Sequence, residues 1–210
     1  MGRLLRRRAK KSNRNAEREQ AIEQARRCRV ELTRQAVALR SKLGKLQEPQ
    51  AELERALYVV EGLHPSIRRG LALADRARQA GDEPEARSYE ETAGFLADSL
   101  GATLVSLKEA KILYDTALRS VEAAERAAEE SASLLEEAQA GIDEGDRFPR
   151  PEDARPAVEV EQMRKEIEAR YGRAIQEAEA ACAAIGQRLA EPGSDDFPTE
   201  PPEPSGLSGL

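Results

Sequence analysis

Aromatic side chains are nearly missing from this sequence: tryptophan is absent, and phenylalanine and tyrosine together supply 3% of the 210 residues. With charged residues at 34%, a chain this poor in large apolar groups has too little to fill a compact globular core. Cysteine is scarce as well. Cys28 and Cys182 stand far apart and outside any C-x-x-C or Cys/His ligand spacing, so neither a disulfide framework nor a zinc site is signalled. Histidine occurs once, as His64, which excludes a His pair for a metal and leaves a Ser/His/Asp arrangement without support. No glycine-rich phosphate loop is present. No window approaches the roughly 20 apolar residues needed to span a bilayer. The basic start lacks the apolar stretch of a secretory signal. Carboxylates are plentiful, but acids spaced along a solvated helix do not converge on a pocket. These absences argue against an enzyme and imply no catalytic residue, cofactor or metal; any membrane contact has to be peripheral, and the chain is expected in the cytoplasm.

What remains is Ala, Glu, Arg and Leu, the composition of long helices. Apolar residues run from Ile22 through Ala25, Leu32, Ala36, Leu39 and Leu43 to Leu71 and Ala74, at alternating spacings of three and four, broken at Arg29, Gln50 and His64. A seam kept over so many repeats predicts one long helix over residues 16–79 with one face against a partner helix. Pro49 and Pro65 fall inside it, but the register resumes unshifted after each, so both read as kinks and not as breaks. At Gln79-Ala80-Gly81-Asp82-Glu83-Pro84, Gly supplies a helix stop and Asp followed by Pro a new start. A second seam follows through Ala93, Leu96, Leu100, Leu107, Ala110, Tyr114, Ala117 and Val121, flanked by Leu104, Leu113 and Leu118, in a helix over 85–140. Two seams joined by a tight turn fold antiparallel. The expected fold is all-α: a long antiparallel coiled-coil hairpin over 16–140, a Pro/Gly linker over 141–157, and an amphipathic helix over 158–190. The stripe of that helix, Val160 to Ile185, needs covering by the hairpin or by a neighbouring subunit, and docking on a neighbour is the expectation. Both ends are expected to be disordered: a basic arm over 1–15, and an acidic, proline-rich tail over 191–210.

The arm carries seven bases and no acid, and the tail five acids and no base. The candidate membrane-binding set is Arg3, Leu4, Leu5, Arg6, Arg7, Arg8, Lys10, Lys11 and Arg14, because each base near an anionic leaflet contributes about 1 kcal/mol. A basic cluster also attracts nucleic acid, but with no aromatic to stack on bases the arm does not suit base readout. His64 and Tyr58, Tyr89, Tyr114 and Tyr171 read as packing residues.

The turn region Ala72-Leu73-Ala74-Asp75 through Gln79 to Glu83, with Ala86 and Tyr89, resembles the hairpin tip of the phage-shock protein A family, which includes the vesicle-inducing protein of plastids and is related to ESCRT-III proteins. The run Gln20 to Ala25 is similar to the start of that family's first hairpin helix. Met163 to Glu168, with Arg170, Tyr171, Ala174 and Ile175, is similar to the helix after the hairpin in actinobacterial members. The three matches occur in the family's order. The resemblance implies a non-catalytic scaffold that self-assembles (homo-oligomer) on anionic membrane lipid, peripheral on the inner face of the plasma membrane, and preserves envelope integrity under stress. Relative to the family pattern the chain is shortened at the N-terminus and after the hairpin. The alternative is a soluble coiled-coil adaptor that holds a regulatory partner protein along its rod.

Overall fold

A computed structural model describes the backbone of residues 2–140, 142–149 and 158–190, and the side chains of 15–140, 142–149 and 160–190. The expected tail, most of the linker's second half, Gly141 and the side chains of the expected arm lie outside the described residues. Among the described residues the fold is all-α. Helix α1 spans Gly2–Gln79 (78 residues), α2 spans Glu83–Gln139 (57 residues) and α3 spans Val158–Ala190 (33 residues). At 1.5 Å per residue α1 is about 115 Å long.

Helix α1 begins at Gly2 and not near residue 16, so the arm expected as a disordered segment is drawn into the first helix. The physical reason is local: from Arg3 to Leu43 there is neither Gly nor Pro, and Arg, Lys, Ala, Leu and Glu lose little on entering a helix, so a helix nucleated by the seam propagates outward. Pro49 and Pro65 both lie inside α1, which runs unbroken through them. Leu46 and Leu53 on either side of Pro49, and Val60 and Ile67 on either side of Pro65, are all buried in one core.

The tip is a three-residue join, Ala80 to Asp82. Asp82 N–H donates to the Ala77 carbonyl at 2.9 Å and Gly81 N–H to the Arg78 carbonyl at 2.9 Å, the two bonds of a Schellman stop. Gly81 takes φ +79°, the left-handed conformation that this stop requires. Asp82 then caps α2, its Oδ1 accepting from Glu85 N–H at 3.0 Å, with Pro84 in the first turn. Arg76 and Arg78 end α1 while Glu83 and Glu85 begin α2, each charge opposite in sign to the helix dipole beside it.

Two cores result. The larger joins all three helices over the tip half, from Leu39 to Leu71 on α1, Ala93 to Val121 on α2 and Val160 to Ile185 on α3. The smaller closes the open end of the hairpin: Ala25, Leu32 and Ala36 meet Ala132, Leu135 and Ile142, with Cys28 and Phe148 at the margin. The second seam therefore continues past Val121 on small residues. Leu113, expected beside the seam, is 54% exposed. It lies one residue before the buried Tyr114, which rotates it out of the interface.

The third helix corrects one expectation. Its stripe is covered by the hairpin of its own chain: Ile167, Ala174, Ala178, Ala181 and Ile185 are buried against α1 and α2. The expected docking on a neighbour is not needed to bury it.

Because a side chain at Gly81 would meet nothing within 4 Å, replacement there costs backbone conformation alone. Gly81→Val is expected to destabilise the fold by about 1–2 kcal/mol, and thermal unfolding followed by circular dichroism checks it; an unchanged midpoint would mean that the tip does not hold the positive φ.

Candidate functional site

Three regions of the fold present chemistry to the surroundings: the basic start of α1, the seat of α3, and the strap that closes the open end. The bases Arg3, Arg6, Arg7, Arg8, Lys10, Lys11 and Arg14, with Leu4 and Leu5, fall on the first turns of α1. On a helix, positions 3, 7, 10 and 14 share one face, which gathers Arg3, Arg7, Lys10 and Arg14. The backbone is helical there, and what these side chains touch lies outside the described residues.

Beyond α2 the chain folds back as a strap along α1. Arg18 pairs with Asp143 at 3.2 Å and with Asp146, Phe148 N–H donates to Gln139 Oε1 at 2.7 Å, and the Arg29 guanidinium lies 5.3 Å from the centre of the Phe148 ring. Arg29, one of the breaks in the first seam, is exposed toward the strap and not toward α2. A cavity of about 520 Å³ sits under the strap, lined by Leu32, Leu135, Gln139, Phe148 and Pro149 among others. Its wall is largely apolar, and only Glu136 and Arg147 along it carry charge. Neither the strap contacts nor Phe148 was visible in a segment read as linker.

The seat of α3 is polar at its margins. Arg170 grips Glu61 through two bonds of 2.6 Å, and this pairing holds the Glu61 carboxyl below its usual range, against the opposing pull of partial burial. Arg188 pairs with Asp75, lowering that carboxyl too, and stands 3.7 Å from Glu90, which Arg78 also reaches at 2.7 Å. Burial works to lower the Lys111 pKa, but hydrogen bonds to Asp115 (2.7 Å) and Glu168 (3.0 Å) leave it raised; the same ammonium lies 5.4 Å from the Tyr171 ring centre. His64 is buried, with Nε2 3.1 Å from Glu177 of α3. Gln50, the remaining break in the seam, is half-buried and donates to Glu54 at 2.9 Å.

None of this assembles a reaction centre. Among the described residues no three His, Cys, Asp or Glu side chains converge as a metal site, and none of the helices is long and apolar enough to cross a membrane. Tyr114 is fully buried, with its hydroxyl pKa raised by that burial. The geometry can hold and present surfaces.

No family model matches the sequence, and no solved structure matches it. Two curated proteins do, both named PspA protein, from two strains of Mycobacterium tuberculosis. Each is 31% identical over 190 residues, covering 82% of this chain and 69% of the relative. The chain belongs to the PspA family. The hairpin tip and the α3 run that suggested the resemblance are, in this PspA-family chain, the Schellman–Asp82 turn and the helix seated in the groove of the hairpin. The PspA family is a family of non-enzymatic scaffolds, which the all-helical architecture fits.

The Arg170–Glu61 pair yields a test of the α3 seat. A carboxyl held low in the folded chain contributes stability that is complete above the ordinary Glu range, about pH 4.3, and fades as the pH falls below it. Both side chains are about a third exposed, so Glu61→Gln is expected to lower stability at pH 7 by no more than about 1 kcal/mol. Melting curves of variant and parent should converge in acid; a difference that persists there would mean that packing, and not charge, holds Arg170.

Proposed function

We propose that this chain is a peripheral, self-assembling membrane scaffold of the PspA type that helps maintain the cell envelope under stress, bound to anionic lipid on the inner face of the plasma membrane through the start of α1. The observation that carries the reading is the placement of the bases. Seven cationic residues fall on the helical turns of α1 that precede Arg18, where the strap contacts begin. A rigid helix holding that charge adheres to an anionic surface at about 1 kcal/mol per base near the leaflet. Leu4 and Leu5 add a small apolar contribution, so adhesion is mainly electrostatic and screened by salt. Family membership supports the envelope-stress role, and the rod formed by the hairpin supplies stiffness between contact points.

Co-sedimentation with vesicles tests the lipid step. Full-length protein is expected to bind anionic vesicles at low salt, to be released at high salt, and to ignore neutral vesicles; deletion of residues 1–15 is expected to abolish binding. Absence of binding under all conditions would hand the lead to a soluble adaptor that holds a partner protein along the rod.

A further inference from the structure

The hairpin has a broad face on each side of its seam, and α3 covers one of them. Its contacts fall on Glu61, His64 and Asp75 of α1 and on Glu90, Ala97 and Lys111 of α2. Heptad spacing puts Ala56, Leu63, Ser66, Gly70 and Leu73 of α1 on the other face, with Leu96, Ser99, Thr103, Ser106 and Leu113 of α2. From Ala56 to Ala77 and from Tyr89 to Ser120 no position of that face is charged, although charged residues make up 34% of the chain. Its hydroxyls turn into their own helices: Ser66 donates to the Gly62 carbonyl at 3.1 Å, Ser99 to that of Phe95 at 3.0 Å and Thr103 to that of Ser99 at 2.8 Å. Leu63 and Leu96 are only partly buried on its floor, and Leu113 is 54% exposed. Away from the tip the face runs into a cavity of about 470 Å³ that Pro49, Leu113 and Ala117 help to line. A groove this poor in charge and this open to water calls for a cover.

The chain carries a candidate cover of its own. Arg188 pairs with Asp75 at 3.0 Å, and a Cβ on Gly94 would meet the Leu189 side chain at 3.5 Å, so α3 ends beside the tip. Residues 191–210 follow it with five acids, no base, five prolines and one aromatic, Phe197. Two ways lead from that point to the uncovered face. Over α2 the path crosses Glu91 and Asp98, both exposed acids. Over α1 it crosses Ala72, Arg69 and Arg76, all exposed, and neither guanidinium pairs with an acid among the described residues. An acidic segment is steered to the α1 side. The reach suffices: half the girth of a helix 10–12 Å across is about 16–19 Å, and seven extended residues, Glu191 to Phe197, span about 23–25 Å.

We infer that residues 191–210 fold back across Arg76 and Arg69 and lay Phe197 on the uncovered face, over Leu63, Gly70 and Leu96. Asp195 and Asp196 directly precede Phe197, which brings both acids to the two arginines as the chain crosses. Proline favours extended backbone and lowers the entropy lost on docking. A segment with so little apolar surface has nothing to fold on by itself, and the groove supplies that surface. The cover is internal to one chain and does not rest on self-assembly. Its hold is partly electrostatic, so salt weakens it, and a ligand that competes for the groove displaces it.

Because the chain holds no tryptophan, Phe197→Trp in the full-length protein places a single fluorophore on the segment. At low salt its emission is expected to be blue-shifted and its quenching by acrylamide reduced relative to N-acetyltryptophanamide, both independently of protein concentration. High salt is expected to return both to the values of the free indole. So are two further pairs of changes, Arg69→Glu with Arg76→Glu on the path and Ser99→Glu with Ser106→Glu on the groove floor. All four positions are exposed, so circular dichroism should show helicity retained. Solvent-like emission at low salt overturns the inference and leaves the groove to another molecule. A blue shift that survives either pair of changes overturns the seat, and one that grows with protein concentration assigns the segment to a neighbouring chain and overturns the internal cover.

Discussion

The apolar seam between α1 and α2 is the constraint on which the rest of the molecule depends. A helix with the charge density of α1 has nothing to hold it in isolation beyond weak propensity, and its stability comes from burying one face. Leu32, Leu39, Leu46, Leu53, Leu57, Val60 and Ile67 provide that face, each with 2% or less of its surface exposed. Because the seam keeps one heptad register and the tip joins the helices without slack through Asp82, the axial level of every residue on one helix is tied to a residue on the other. The strap and the α3 groove both inherit their positions from that register.

The α3 seat follows a different balance. Toward the hairpin the helix presents three small residues, Ala174, Ala178 and Ala181, which bury little apolar area each, between the larger Ile167 and Ile185. Its margins are then tied by Arg170, Arg188, Arg164 and Lys111 to acids across the groove. Exposed or half-exposed ion pairs contribute modestly and in a salt-dependent way, whereas the hairpin rests on dry leucine contacts. His64, buried at this seat, replaces an apolar seam residue with one that can address Glu177 on the third helix.

Most of the fold was legible because helical burial repeats. The periods of three and four residues that marked Ala25 to Ala74 and Ala93 to Val121 reflect one face of each helix in water-free contact, and the Gly81-Asp82-Pro84 sequence carries its own backbone requirement. The seam beyond Val121 was hard to see because Ala128 and Ala132 bury too little to stand out in an alanine-rich chain. Phe148 and Ile142 gave no periodic signal, since a strap held by an ion pair, a ring–guanidinium contact and one amide bond has no period to detect. Arg29 looked like a gap in a two-helix interface and His64 like a packing residue of it, yet each also answers a third element that a seam count does not include.

Local physics along the chain was enough to specify an all-helical hairpin, its turn, its basic start and the existence of a third amphipathic helix, because caps, propensity and heptad spacing act between near neighbours in sequence. Only the tertiary structure decided that α3 lies on its own hairpin and that the strap closes the open end. Those facts depend on the axial register between helices, a distance set by packing at the seam and fixed only when both faces of it are in place.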